Sequence, residues 1–241
     1  MRGIILSGGS GTRLRPLTKI TSKQLLPIYH RPMIYYPLNT LIKAGIKEIL
    51  IIVAPERAGD YLNLLGSGKE FGVKFTYEIQ DKPEGLAQAF IIGENFIDNE
   101  DVVMILGDNI FEDDFSEDIK SFKGGAKIFA KKVSDPERFG VVKFDNMMKA
   151  EKIVEKPKEY LSDYAVTGLY IYDKRVINVA KEMKASERGE LEITDVNNWF
   201  LNIDELSVAE VKGEWLDAGT FDSLLRAQNF AKEKMADKMA I

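Results

Sequence analysis

The sequence predicts an α/β protein in which helices flank a mostly parallel, mixed central sheet. Three observations carry that expectation. Short apolar runs alternate with segments of helical spacing through the first half of the chain, the pattern of a parallel sheet covered on both faces. Two of those runs, EILIIV at 48–53 and VVMIL at 102–106, are apolar almost throughout, as strands buried on both sides must be. The chain opens with Ile4-Ile5-Leu6 feeding a glycine turn, and ligands of such sheets bind beyond the carboxyl ends of their strands.

Taken in order, Pro32 opens a helix with Ile34, Leu38, Leu41 and Ile42 on one face, and Gly45 ends it. A buried strand at 48–53 is followed by a helix beginning at 60–65 and a strand at 75–79. Residues 85–97 have helical spacing, and 102–106 form the most apolar strand of the chain. The second half is more mixed: strands at 126–133 and 140–144 joined by the turn Ser134-Asp135-Pro136, then strands at 152–155 and 166–172. The last of these alternates enough to be half buried. Helical spacing at 176–183 and 193–201 precedes a strand at 206–211. An amphipathic helix at 221–240 closes the chain, with Leu224, Leu225, Gln228 and Phe230 near one stripe.

Composition narrows the functions available. A chain of 241 residues can bury a full core and fits one domain, with no repeat, low-complexity tract or long linker to divide it. A formal charge of −5 argues against a nucleic-acid groove. No apolar run approaches the length needed to cross a bilayer, and a strand starting within three residues of the N-terminus leaves no room for a signal peptide. Zero cysteines removes disulfides and thiolate chemistry and fits a cytoplasmic protein. The single histidine, His30, lies in a loop before a helix, where a surface or packing role is expected. Chemistry therefore falls to carboxylates, cations and a bound ion.

Residues 3–27, GIILSGGSGTRLRPLTKITSKQLLP, carry the chemical signal. Gly8, Gly9 and Gly11 let backbone N–H groups approach phosphate oxygens with no Cβ in the way. Arg13 and Lys23 follow, and each cation beside a phosphate oxygen gains about 4 kcal/mol at about 4 Å and an effective dielectric near 20, before desolvation. The turn is neither a dinucleotide fingerprint, since Leu14 stands where a third glycine would open the helix, nor a P-loop, since no Gly-Lys-Ser/Thr follows. Asp108, in Leu106-Gly107-Asp108-Asn109, closes the most apolar strand. An aspartate there projects into the ligand crevice and suits Mg²⁺, where an isolated one would more often cap a helix or a turn.

The pattern G-G-x-G-T-R-L-x-P-x-T, then a lysine followed by L-L-P, resembles the sugar-nucleotide pyrophosphorylases, and within them the glucose-1-phosphate thymidylyltransferase group. The resemblance runs from residue 1 to about residue 230 and covers several separate blocks in order. It implies a Rossmann-like nucleotidyltransferase fold as a single domain over 1–241: a nucleotide-binding part at about 1–110, a sugar-phosphate part at about 111–220, and the helix at 221–240. It implies Mg²⁺-dependent transfer from dTTP to glucose 1-phosphate, giving dTDP-glucose and pyrophosphate.

By the same resemblance Arg13 and Lys23 contact the triphosphate and the departing pyrophosphate. Asp108 and the aspartate of Trp215-Leu216-Asp217-Ala218-Gly219-Thr220 share the metal. Gln80 and Gly85, in QDKPEGLAQA, read the base: a primary amide matches the thymine edge, which uracil presents identically, and a solvated strand-end glutamine is the plainer alternative. Gly140 and Val166 offer backbone groups to the hexose, Glu155 accepts from its hydroxyls, and Lys156 and Arg188 hold its phosphate. Glu190 and Asp195 are given no catalytic role. A homo-oligomer, dimer or tetramer, is expected. The rivals are the same transfer with UTP or another hexose 1-phosphate, a non-catalytic sugar-nucleotide-binding subunit, and glycosyl transfer, for which Asp108-Asn109-Ile110 lacks the DxD pattern.

Overall fold

A computed structural model describes residues 1–235. Strand β1 (Arg2–Ser7) leads into the glycine loop, and β2 (Pro27–Ile28) and β3 (Arg31–Pro32) form a two-stranded hairpin. Helix α1 (Tyr35–Lys43), β4 (Glu48–Val53), α2 (Ala58–Leu65) and β5 (Lys74–Ile79) follow. Then come α3 (Gln88–Ile92), α4 (Glu94–Ile97), β6 (Val102–Leu106), β7 (Asn109–Phe111) and α5 (Ser116–Lys120). The second half comprises β8 (Ala126–Lys132), β9 (Gly140–Phe144), β10 (Ala150–Glu155), β11 (Tyr164–Tyr172), α6 (Val176–Glu182), α7 (Ile193–Asn202), β12 (Leu206–Glu210), β13 (Trp215–Asp217) and α8 (Phe221–Phe230).

The central sheet runs β10-β9-β11-β6-β1-β4-β5, with β8 on β11 and β12 on β8. Strands β6, β1, β4 and β5 are parallel, whereas β11 pairs antiparallel with β6, β8 and β9. The alternation of β1 explains its two layers. Ile4 and Leu6 pack with Phe90, Val179 and Phe200 on one face, while Ile5 packs with Leu38, Leu41 and Tyr61 on the other.

A third, smaller core joins Leu14, Ile28, Met33, Ile110, Leu216, Leu224 and Phe230. It seats the glycine loop, β7, β13 and α8 on one another. Thr220 caps α8 in a capping box with Ser223.

Several expectations change. Helix α1 starts at Tyr35, because Pro32 is used in the hairpin that carries His30 at its exposed tip. Gly93 divides 85–97 into two short helices. Strand β11 is not half buried: it lies inside the sheet and is buried along nearly its whole length. Leu225 is 59% exposed, and Ala227 takes its place on the buried stripe of α8. The expected helix continues only to Phe230, followed by a π turn to Met235, and residues 236–240 of that expectation lie outside the described residues. The short strands β7 and β13 were not expected, since three residues are too few to show a period.

Candidate active site

The carboxyl ends of β1 and β6, with β9, β10, β11 and the start of α7, enclose a cleft of about 560 Å³. Gly9, Arg13, Lys23, Gln80, Gly85, Asp108, Gly140, Glu155, Lys156, Val166, Arg188 and Asp217 all line it. Gly8 and Gly11 do not line it: Gly8 lies instead against Gln80, and Gly11 against Thr18 and Lys23.

The three loop glycines do different things. Gly11 sits at φ 61°, where a side chain is strained, and Thr18 Oγ1 donates to its carbonyl at 2.7 Å. Gly9 faces open space. Gly8 is a notch: a Cβ there would lie 2.0 Å from Gln80 Oε1, so two residues expected to meet the nucleotide pack on each other. Gln80 is buried, and its Nε2 donates to Gln88 Oε1 at 2.6 Å, while Gln88 Nε2 donates to Glu84 Oε2 at 2.9 Å. The amide is thus held by its neighbours and is not a solvated strand end. Gly85, at φ 112°, approaches Leu191 so closely that a Cβ would be 2.4 Å from the Leu191 backbone. That contact joins the 80–85 segment to the loop that precedes α7.

The carboxylate pair is assembled by backbone pairing across a separation no sequence pattern reveals. Strand β13 pairs antiparallel with β7, placing Asp217 opposite Asn109, and the Ala218 N–H donates to the Asp108 carbonyl at 3.0 Å. The third core locks this ladder from below through Ile110 and Leu216, and it fixes Arg13 through Leu14. A Cβ on Gly219 would meet both Arg13 and Asp217, each at 2.8 Å, so the glycine lets them approach.

Lys23 donates to Asp108 Oδ2 in a largely buried ion pair. Burial pushes the Asp108 carboxyl up, but the charge and hydrogen bond of Lys23, with help from Asn109, more than reverse this and hold it below its ordinary value. Asp217 goes the other way: burial, then the negative charge of Asp108, push its carboxyl up to about 7. Its Oδ1 is buried with no hydrogen-bond partner. An ionised Asp108 beside an orphaned oxygen of Asp217 is a donor set that fits a divalent cation. Among the described residues no cluster of three or more metal-binding side chains occurs. Two carboxylates nonetheless suit Mg²⁺, which commonly completes its shell with substrate phosphates and water.

At the β9–β10 wall of the cleft, Glu155 of β10 pairs with Gly140 of β9, and Thr194 Oγ1 donates to Glu155 Oε2 at 2.7 Å. Lys156 turns into the left-handed region, φ 41°, with its Nζ 3.6 Å from Glu155 Oε1. Val166 lies where β11 breaks register with β8. Arg188 is enclosed by acids: Glu190 at 2.5 Å, Glu192 at 3.1 Å and Glu155 at 3.9 Å. Glu190, given no role from sequence, is one of its partners.

Sequence reading missed Asn109. Its Oδ1 accepts from Trp215 Nε1 at 2.6 Å and from the Gly168 N–H at 3.0 Å, while its Nδ2 donates to Asp108 Oδ1 at 3.2 Å. One buried amide therefore ties three strands to the carboxylate pair. It also missed Gln24, buried in the cleft wall, whose Oε1 accepts from Ser22 Oγ at 2.8 Å and Tyr61 OH at 3.2 Å. Their adjacency to Asp108 and Lys23 was the only available signal.

This geometry can be set beside known proteins. Residues 2–234 match the family model described as nucleotidyl transferase. A glucose-1-phosphate thymidylyltransferase of Neisseria meningitidis is 52% identical over 239 residues, spanning 96% of this chain and 83% of that protein. One of Mycolicibacterium smegmatis is 53% identical, over 96% of this chain and 82% of that protein. A Bacillus anthracis protein provisionally named glucose-1-phosphate thymidylyltransferase, crystallised with sucrose, superposes with a TM-score of 0.92 at 51% identity, covering 97% of this chain and 96% of that one. A UDP-glucose pyrophosphorylase complexed with UDP-glucose superposes with a TM-score of 0.85 at 25% identity, over 97% and 98%. With its glycine loop, its paired aspartates and a match along nearly its whole length, this chain belongs to the nucleotidyl transferase family.

Proposed function

We propose that the protein transfers a thymidylyl group from dTTP to glucose 1-phosphate, releasing pyrophosphate and forming dTDP-glucose. The observation that carries this reading is the presence of two cationic groups and a pair of aspartates in one cleft. Arg13 and Lys23 stand against the two aspartates, Lys156 and Arg188 form a second cationic group around Glu155, and all of these residues line the same cleft. The names of relatives at 52% and 53% identity support the same substrates. No helix among the described residues is long and apolar enough to cross a membrane.

A sugar-phosphate oxygen attacks the α-phosphorus of dTTP in line, and the bond from that phosphorus to the bridging oxygen of the β-phosphate breaks. The electron pair leaves on pyrophosphate, so no covalent enzyme intermediate is needed. Both substrates are strongly anionic, and their mutual repulsion is a large part of the barrier. Arg13 and Lys23 neutralise the triphosphate as charge moves onto the leaving group, and Lys156 and Arg188 do so for the incoming phosphate. Asp108 and Asp217 would hold Mg²⁺, which when bound supplies further neutralisation of phosphate charge. Arg188 must exchange at least one of its carboxylates for the sugar phosphate, which makes its acids a gate on binding. Glu155, oriented by Thr194, is then an acceptor for sugar hydroxyls.

We read the chain as one catalytic unit, cytoplasmic and homo-oligomeric; light scattering checks the last point. A second reading, the same transfer with UTP, is favoured by one observation: the likeness, at 25% identity, to a UDP-glucose pyrophosphorylase complexed with UDP-glucose. A primary amide at Gln80 does not separate uracil from thymine. Turnover with dTTP and UTP in direct competition, across several hexose 1-phosphates, decides the substrates. Preference for dTTP and glucose 1-phosphate supports the proposal, and preference for UTP replaces it.

A further inference from the structure

A second hollow, about 390 Å³ in volume, lies on the outer side of the glycine loop. Arg15, Lys19, Lys23 and Arg57 line it against a single carboxylate, Glu56. Gly9 and Lys23 also line the catalytic cleft, so the two spaces share a wall at the glycine loop and Lys23.

The cations here are held differently from those inside the cleft. Lys23 is paired with Asp108, and Arg188 is surrounded by three glutamates. Among the described residues Arg15 and Lys19 have no carboxylate partner, and the Arg57 guanidinium is fixed by carbonyls instead. Its Nη1 and Nη2 donate to Ile20 and Lys19 carbonyls, both at 3.0 Å. In a chain of net charge −5, three cations unneutralised around one concave surface focus the field there and concentrate multivalent anions. Arginine suits phosphate groups because its planar fork can hold two oxygens at once.

We propose that this hollow is a pyrophosphate-binding site, an outer station for the leaving group on its way out and for pyrophosphate on its way in during the reverse reaction. The inference rests on the nucleotidyl-transfer reading. In-line displacement sends pyrophosphate away from the sugar side, toward the glycine loop, and the hollow lies just past that loop. The phosphate tail of a nucleotide has the same chemistry, and the experiment separates the two.

The test is an Arg15→Gln/Lys19→Gln double variant. Both side chains are exposed, so the fold is not at stake, and Arg57 is left to hold the loop. Pyrophosphorolysis of dTDP-glucose is measured beside calorimetric titration with inorganic pyrophosphate. A Lys232→Gln/Lys234→Gln pair, exposed and past α8, controls for the same change in net charge. The KM for pyrophosphate rises about tenfold, the sum of two exposed ionic contacts, with the KM for dTDP-glucose unchanged. Product inhibition of the forward reaction by pyrophosphate weakens by the same factor. An unchanged pyrophosphate KM, or an equal rise in the control pair, overturns the proposal. A rise confined to the KM for dTTP assigns the hollow to the nucleotide tail and also overturns it. A wild-type protein inactive in both directions sinks the activity reading, and calorimetric pyrophosphate binding that the double variant fails to weaken then sinks the hollow separately.

Discussion

Replacing Asp217 by asparagine stabilises the metal-free protein, and the gain depends on pH. The Asp217 carboxyl moves from an ordinary value of 3.8 to about 7, chiefly through burial and then the charge of Asp108, with Lys23 and Arg13 offsetting part. A shift of roughly three units corresponds to about 4 kcal/mol. In the unfolded chain the proton leaves near pH 3.8, whereas in the folded protein it stays until about 7. Between those values stability falls as pH rises, and above them the folded state carries the full penalty of the buried anion. Because Asp217 keeps an edge toward the cleft, solvent recovers some of this, and we expect roughly 2–4 kcal/mol. The assay is urea unfolding of wild type and Asp217→Asn in a chelator, at about pH 5 and about pH 8.5. The advantage of the asparagine variant grows by about 2 kcal/mol between the two, and added Mg²⁺ removes it at the higher pH. An advantage that does not change with pH would refute the reasoning, because an asparagine that merely packed better has no proton to lose.

Other substitutions read other parts of the site. Arg13→Ala cuts turnover about a hundredfold or more while leaving the KM for the sugar phosphate near wild type, and unchanged turnover removes Arg13 from the reacting phosphates. Gly8→Ala drives a Cβ into Gln80 Oε1 and displaces the amide, raising the KM for the nucleotide with little effect on the sugar phosphate; steady-state kinetics in each substrate check this. Asn109→Leu strands the Trp215 and Gly168 N–H groups and frees Asp108 from one donor, costing about 2–4 kcal/mol in urea unfolding, whereas a cost below about 0.5 kcal/mol would show that water replaces the amide.

How much was legible in the chain depended on how local each feature is. The parallel half was readable because β4 and β6 are nearly continuous apolar runs and α1 and α2 show helical spacing. The glycine loop was readable because its glycines and cations lie within about twenty residues of one another. Strand β11 was misread because its tyrosines and threonine look like a solvated face. In the fold it lies between β6 and β8, and those polar groups are buried, Thr167 donating to the Phe129 carbonyl at 3.0 Å. The meeting of Asp108 with Asp217 rests on a three-residue ladder and a small core drawn from four distant segments, none long enough to announce itself. Asn109 was invisible for a different reason. Its type is ordinary, and only the contacts around it make it the tie between β7, β11 and β13.

The central claim is that one cleft brings a nucleoside triphosphate and a sugar phosphate together over the Asp108–Asp217 pair. The most direct test is pyrophosphate release from dTTP and glucose 1-phosphate with Mg²⁺, beside UTP, ATP and GTP and beside Asp108→Ala. Release that requires the sugar phosphate, prefers dTTP and vanishes in the variant is the predicted result. No release with any nucleotide, from a protein that still binds dTDP-glucose, would contradict the account and make this cleft a binding site alone.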